Sequence, residues 1–176
     1  MSKAVLLSIK PKWCELIANG KKTVEVRKTK PKIKTPFKVY IYMTAGDAVY
    51  PVSINGAPYT CSNVGGKVVI GEFVCDAIFP MSVWYSNSND RLSRREYPYT
   101  CLTDKEIMDY LGNGVEGYGW HISDLVIYDK PKELSEFRSY NAGVYIDENG
   151  YPMPTHAITR PPQSWCYVEE DRHDGS

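Results

Sequence analysis

The sequence predicts an α+β fold built on about six short strands, with two or three flanking helices and long loops. Three observations carry this expectation. Strand-length runs recur at about residues 4–9, 23–27, 38–43, 67–77, 120–128 and 165–170. Only residues 11–18 and 103–111 carry helix signals. Stretches rich in Gly, Ser, Asn and Pro separate them at 44–66, 80–100 and 139–163. Six short strands with few helices suggest a closed or nearly closed barrel.

The first element is the apolar run Ala4–Ile9, followed by Lys10 and Pro11. Pro11 opens a short helix, and Asn19-Gly20 closes it with residue types that tolerate the left-handed conformation. Beyond this stop, Thr23, Glu25 and Arg27 alternate with Val24 and Val26. In a strand the first three share one face and the valines the other. Such alternation also describes an ordinary half-exposed antiparallel strand with its valines inside. Thr103 and Glu106 have the spacing of a capping box, and Ile107, Met108 and Leu111 make an apolar stripe suited to packing. Long loops in a compact domain are binding loops or insertions, and 80–100 and 139–163 are read as insertions.

With 176 residues and 43% hydrophobic content, the chain can bury one core, so residues 1–176 are expected to form a single domain. Net charge is zero, which argues against simple coating of nucleic acid. The charge is uneven, however. Residues 1–40 hold eleven Lys/Arg and two acids, and the remainder holds ten basic and nineteen acidic residues. A basic end suits a local anionic ligand such as phosphate or an RNA backbone. Equally, Lys28–Lys34 reads as a connection kept open by its own charges. Five cysteines without a Cys-x-x-Cys, no signal-like leader and no membrane-length apolar run predict a cytoplasmic protein with reduced thiols. His121, His156 and His173 show no metal-ligand spacing, so no metal and no cofactor are expected.

The ordered string Leu6-Leu7-Ser8-Ile9-Lys10-Pro11, a helix, then Gly20-Lys21-Lys22-Thr23-Val24-Glu25-Val26-Arg27 resembles the ASCH domain family. Val68–Phe73, Gly119–Leu125 and Pro161–Trp165 are also similar to it, so the resemblance spans about residues 4–169. It implies a small PUA-like mixed β-barrel with a cleft lined by the motif strand and the first helix. It further implies RNA, a nucleotide or a modified nucleoside as the ligand.

The residues expected to bind ligand are Lys10, Lys22, Glu25, Arg27, Glu72, Tyr118 and His121. Lys10 and Lys22 offer ammonium groups to phosphate. Arg27 offers a planar fork for phosphate, carboxylate or a base edge. Glu25 can accept from an exocyclic amine, or simply pair with Arg27 on its own strand face. Glu72 completes a polar wall or points outward. Gly117-Tyr118-Gly119 forms a flexible approach to Trp120 and His121, with Tyr118 suited to base stacking and Trp120 to the core. Only one of Trp120 and His121 can face the cleft. Trp13 is expected to pack, and Trp165 to plug the barrel.

One ASCH branch deacetylates acetylcytidine with a Thr nucleophile and a nearby Lys. The resemblance keeps that Lys at Lys22 but places Glu25 at the nucleophile position. Thr23 shares the face but lies about 6–7 Å along the strand, a shift that catalytic geometry rarely survives. If the protein is an enzyme, Glu25 would activate water beside Lys22. A carboxylate among cations keeps its charge, which favours recognition over catalysis. Three functions follow: an RNA- or nucleotide-binding module, an amidohydrolase on an acylated nucleoside, and a protein-interaction adaptor.

Overall fold

The computed structural model describes residues 2–45, 52–54, 57–59, 67–85, 92–94, 99–140, 148–149 and 156–170. In chain order the elements are β1 (Lys3–Ile9), α1 (Pro11–Ala18), β2 (Val24–Arg27), β3 (Phe37–Met43), β4 (Val52–Ile54), β5 (Ala57–Tyr59), β6 (Val68–Cys75), β7 (Ile78–Met81), β8 (Val83–Tyr85) and β9 (Leu92–Arg94). They continue with α2 (Asp104–Leu111), β10 (Gly117–His121), β11 (Ser123–Glu133), a 3-10 turn (Leu134–Glu136) and β12 (Trp165–Glu169).

Two sheets make the body, with strand orders β11-β6-β3-β1-β12 and β2-β10-β7. β1 and β3 run parallel, and the other pairs in these sheets run antiparallel. Only Asp76-Ala77 separates β6 from β7, and only Ile122 separates β10 from β11. Since β6 pairs with β11 and β7 with β10, this hairpin bends from one sheet into the other. Counting each bent strand once leaves β1, β2, β3, β6–β7, β10–β11 and β12, the six expected strands. The described residues form no ladder between β2 and β12. Side chains bridge that seam: Trp165 Nε1 donates to Thr29 Oγ1 at 3.0 Å, and Tyr167 Oη accepts from the Lys32 amide at 2.8 Å.

Burial explains the sequence pattern. Val5, Leu7 and Ile9 of β1 enter the main core with Val39, Ile41, Ile70, Phe73 and Trp120. Ala4 and Leu6, on its other face, meet Tyr40, Val69, Leu134 and Phe137. A strand buried on both faces reads as an unbroken apolar run. Val24 and Val26 pack under α2 against Ile107 and Leu111, and each fully buried side chain of this kind contributes about 1.5–3 kcal/mol. The capping box at Thr103 and Glu106 forms as expected.

Two expectations are corrected. Gly117 and Gly119 lie within β10 rather than on a flexible approach. They are needed for close packing: a Cβ on Gly119 would lie 2.4 Å from Phe79 Cε2, and one on Gly117 would lie 2.4 Å from Leu111 Cδ2. The long stretches also contain strands: β4 pairs with β5 inside 44–66, and β8 with β9 inside 80–100. Much of 139–163 lies outside the described residues, as do 46–51, 60–66, 86–91 and 95–98. Among the described residues, no helix is long and apolar enough to cross a membrane.

Candidate functional site

β2 places its polar side chains inward. Glu25 lies opposite Trp120 and Arg27 opposite Tyr118 in the β2–β10 ladder. Directly opposed residues share a face, so the Glu25–Arg27 face is the one that carries the core tryptophan. The valines take the α2 side. Both faces of β2 are therefore covered, and the half-exposed strand is not what forms.

Lys22, Glu25 and Arg27 make a buried ion triad. Glu25 Oε2 lies 3.1 Å from Lys22 Nζ, and Glu25 Oε1 lies 2.9 Å from Arg27 Nη2. Lys22 is only 1% exposed, and Glu25 and Arg27 are also buried. Lys22 Nζ also donates to Val24 O at 2.8 Å and Thr100 O at 2.7 Å. An ammonium has three donors, and these three partners use all of them. Arg27 Nη2 donates to Ser8 O at 2.7 Å, and Nη1 reaches Ser164 Oγ at 3.4 Å. Arg27 Nε is buried and, among the described residues, has no hydrogen-bond partner. A buried donor left this way costs about 1–3 kcal/mol.

The segment 99–102 shapes one side of the triad. Tyr99 O accepts from the amides of Thr23 (3.1 Å) and Val24 (3.3 Å), and Cys101 Sγ meets Lys21 O at 3.3 Å. Tyr99 and Cys101 both take left-handed φ values, 77° and 57°. These bonds hold the Thr100 carbonyl on Lys22.

The triad lines a cavity of about 570 Å³. Lys10 and Trp13 come from the start of α1; Glu106, Asp109 and Tyr110 come from α2; Gln163 and Ser164 precede β12. A volume of this size falls within the usual 300–1,000 Å³ of small-molecule sites, roughly speaking. Lys10 is exposed and, among the described residues, makes no ion pair. The acids of the α2 wall are occupied. Lys105 Nζ lies 2.7 Å from Asp109 Oδ2, and Glu106 caps Thr103. Hydrogen bonds from the Thr103 amide and hydroxyl hold the Glu106 carboxyl below the usual carboxylate range, and Lys12 adds to the effect. Two ammonium groups approach the Trp13 ring, Lys12 Nζ at 4.3 Å and Lys22 Nζ at 5.4 Å from its centre.

Lys10, Lys22, Glu25 and Arg27 are thus brought together, while Glu72 and His121 lie elsewhere, and Tyr118, although it opposes Arg27 in the ladder, does not line the cavity. Glu72, on β6, pairs with Lys38 at 2.9 Å and accepts from the Tyr128 hydroxyl. Tyr118 packs beside the main core, with Lys30 Nζ 5.1 Å from its ring centre. His121 Nδ1 lies 2.6 Å from Asp76 Oδ1 at the bend between the sheets. Trp120 is fully buried, and the partly buried Trp165 sits at the seam, 6.1 Å from it. Sequence reasoning missed Trp13, Glu106, Asp109 and Tyr110 as lining residues. The last three do carry a signal, since spacings of three and four place them on one helix face.

Residues 7–71 match the family model of the ASCH domain. No curated protein matches the chain. Among solved structures, the ASCH protein of Zymomonas mobilis is similar at 20% identity with a TM-score of 0.57, covering 95% of this chain and 88% of that one. Two single-substitution variants of that protein give TM-scores of 0.58 and 0.57, also at 20% identity. They cover 96% and 95% of this chain and 92% and 89% of theirs. The motif Gly20–Arg27 falls inside the matched segment, and its buried triad forms the floor of the cavity. Residues 7–71 are therefore similar to the ASCH domain, and the chain shares the α+β fold of ASCH proteins of known structure.

Proposed function

We propose that the cavity binds one nucleotide or nucleoside, free or within an RNA strand. The observation that carries this is the partnerless Arg27 Nε, buried in a residue that lines the cavity with Lys10 beside it. Arg27 supplies a fixed donor for a phosphate oxygen or base acceptor, and Lys10 adds a mobile charge at the mouth. Trp13 and Tyr110 offer aromatic faces, and stacking on a base contributes roughly 1–3 kcal/mol. Lys22 and Glu25 act as the frame that orients Arg27.

The same geometry weighs against the amidohydrolase alternative. Lys22 has no N–H left to stabilise an oxyanion, and both Glu25 oxygens already accept from cations. Turnover of acetylcytidine by the purified protein, abolished in Glu25→Gln, would reverse that preference. The adaptor alternative has no corresponding feature in the cavity.

Calorimetric titration with the four ribonucleoside monophosphates tests the proposal. Lys10→Gln and Tyr110→Ala alter exposed residues and leave the triad intact. Each is expected to weaken binding by about tenfold, the equivalent of about 1.4 kcal/mol. Flat titrations for all four nucleotides and for short RNA would overturn it.

A further inference from the structure

Residues 28–34, Lys-Thr-Lys-Pro-Lys-Ile-Lys, leave β2 and cross the seam toward β3. They are tied down rather than held open by charge. Pro31 is buried, and Ile33 packs against the main core. Thr29 Oγ1 accepts from Trp165 Nε1, and the Lys32 amide donates to Tyr167 Oη. The anchored residues alternate with lysines, so Lys28, Lys30, Lys32 and Lys34 are all exposed. Among the described residues none of the four pairs with a carboxylate. Four like charges fixed within seven residues repel one another, so this arrangement favours a polyanion.

Aromatic rings accompany the lysines. Lys28 Nζ lies 5.2 Å from the Tyr110 ring centre, and Lys30 Nζ lies 5.1 Å from that of Tyr118. Farther along, Lys3 Nζ stands 4.4 Å from Tyr167 and 4.5 Å from Tyr140. Tyr110 belongs to both features, since it also lines the cavity. The lysine row therefore starts at the cavity mouth. Cationic side chains interleaved with aromatic faces are the combination that holds single strands.

We propose that this seam is a binding track for a single-stranded polynucleotide that continues outward from the cavity, which rests on a nucleotide occupying the cavity. Phosphates meet Lys28, Lys30, Lys32 and Lys34, while bases reach the tyrosine rings. The cavity selects one nucleotide, and the track supplies length-dependent, salt-sensitive affinity.

The test compares the wild-type protein with the quadruple variant Lys28→Gln, Lys30→Gln, Lys32→Gln and Lys34→Gln. Lys130→Gln, an exposed substitution on β11, is the control. Probes are uridine monophosphate, fluorescein-labelled oligouridylate of two to about eight nucleotides, the matching oligothymidylate, and heparin. Wild-type affinity should rise with oligonucleotide length. The quadruple variant should lose at least about tenfold for the longest strand and much less for the monophosphate, which meets the row only at Lys28 beside Tyr110. Its salt slope should fall by roughly 0.7 for each lost phosphate contact. Comparable tightening for oligouridylate and oligothymidylate assigns the track to the backbone, and tightening for oligouridylate alone assigns it to RNA; either supports it. If the monophosphate binds but length adds nothing, or the quadruple variant matches the control, the track is wrong and the cavity stands. Heparin binding as tightly as the longest strand also overturns it. If neither monophosphate nor oligonucleotide binds, the cavity proposal falls and the track with it.

Discussion

Glu25 faces Trp120 directly across the β2–β10 ladder, so the carboxylate of the motif and the largest fully buried side chain share one interior face. That relationship turns a surface-like string into a buried site. It also makes the carboxylate answerable to two cations, Lys22 and Arg27, both buried with it.

Glu25→Gln should accordingly be costly. It leaves Lys22 and Arg27 as two buried positive charges without their shared counter-ion. Breaking such a pair costs about 3–5 kcal/mol. The urea midpoint should drop with the m-value unchanged. A loss below about 1 kcal/mol, the size of a surface ion pair, would contradict the buried triad.

Gly119 and Gly20 are glycines for different reasons. A Cβ at Gly119 would collide with Phe79 and Met81, whereas at Gly20 nothing lies within 4 Å but φ is +69°. Gly119→Ala should cost about 1–3 kcal/mol through overpacking, or roughly 2–12 °C in Tm for a chain of this size. Combining it with Phe79→Leu should restore part of the loss. Gly20→Ala should cost about 1–2 kcal/mol from left-handed backbone strain, with no rescue from Phe79→Leu. Equal rescue of both variants would refute the distinction.

The described cysteines should differ sharply in reactivity. Burial first, then the Asp76 charge, pushes the Cys75 thiol up to about 12, against a smaller opposing hydrogen bond to Ala77 O. Burial alone pushes Cys166 up to about 11. The thiolate is the reactive form, so iodoacetamide near pH 8 should label exposed Cys101 well before either. Because the folded pKa of Cys75 is raised, its protonated form favours the folded state as alkali ionises the unfolded chain. That contribution is fully present below the ordinary value of 9.0 and is lost as pH rises toward about 12. Site-resolved mass spectrometry that finds Cys75 labelled as fast as Cys101 would show its burial to be wrong.

Much of this was legible in the sequence, and the failures have physical causes. Residues 4–9, 11–18, 23–27 and 103–111 announce themselves through local chemistry: an apolar run, a proline start, strict alternation and a capping box. The convergence of Lys10 with Lys22, Glu25 and Arg27 follows from a short helix bringing two strand ends together. Tyr118 and His121 lie outside the cavity lining, which sequence spacing did not reveal because it gives a face but not what covers it. Gly117 and Gly119 looked flexible because their reason lies in Leu111 and Phe79, side chains remote in sequence. Thr100 was invisible for a similar reason: its contribution is a carbonyl, and a carbonyl carries no residue signature.

A crystal structure of the protein grown with a ribonucleoside monophosphate would show directly whether Arg27 is the donor of the cavity. The nucleotide should lie in the cavity between Trp13 and Tyr110, with an acceptor atom within hydrogen-bond distance of Arg27 Nε. A nucleotide bound elsewhere, with Arg27 Nε still unpartnered and only water in the cavity, would contradict it.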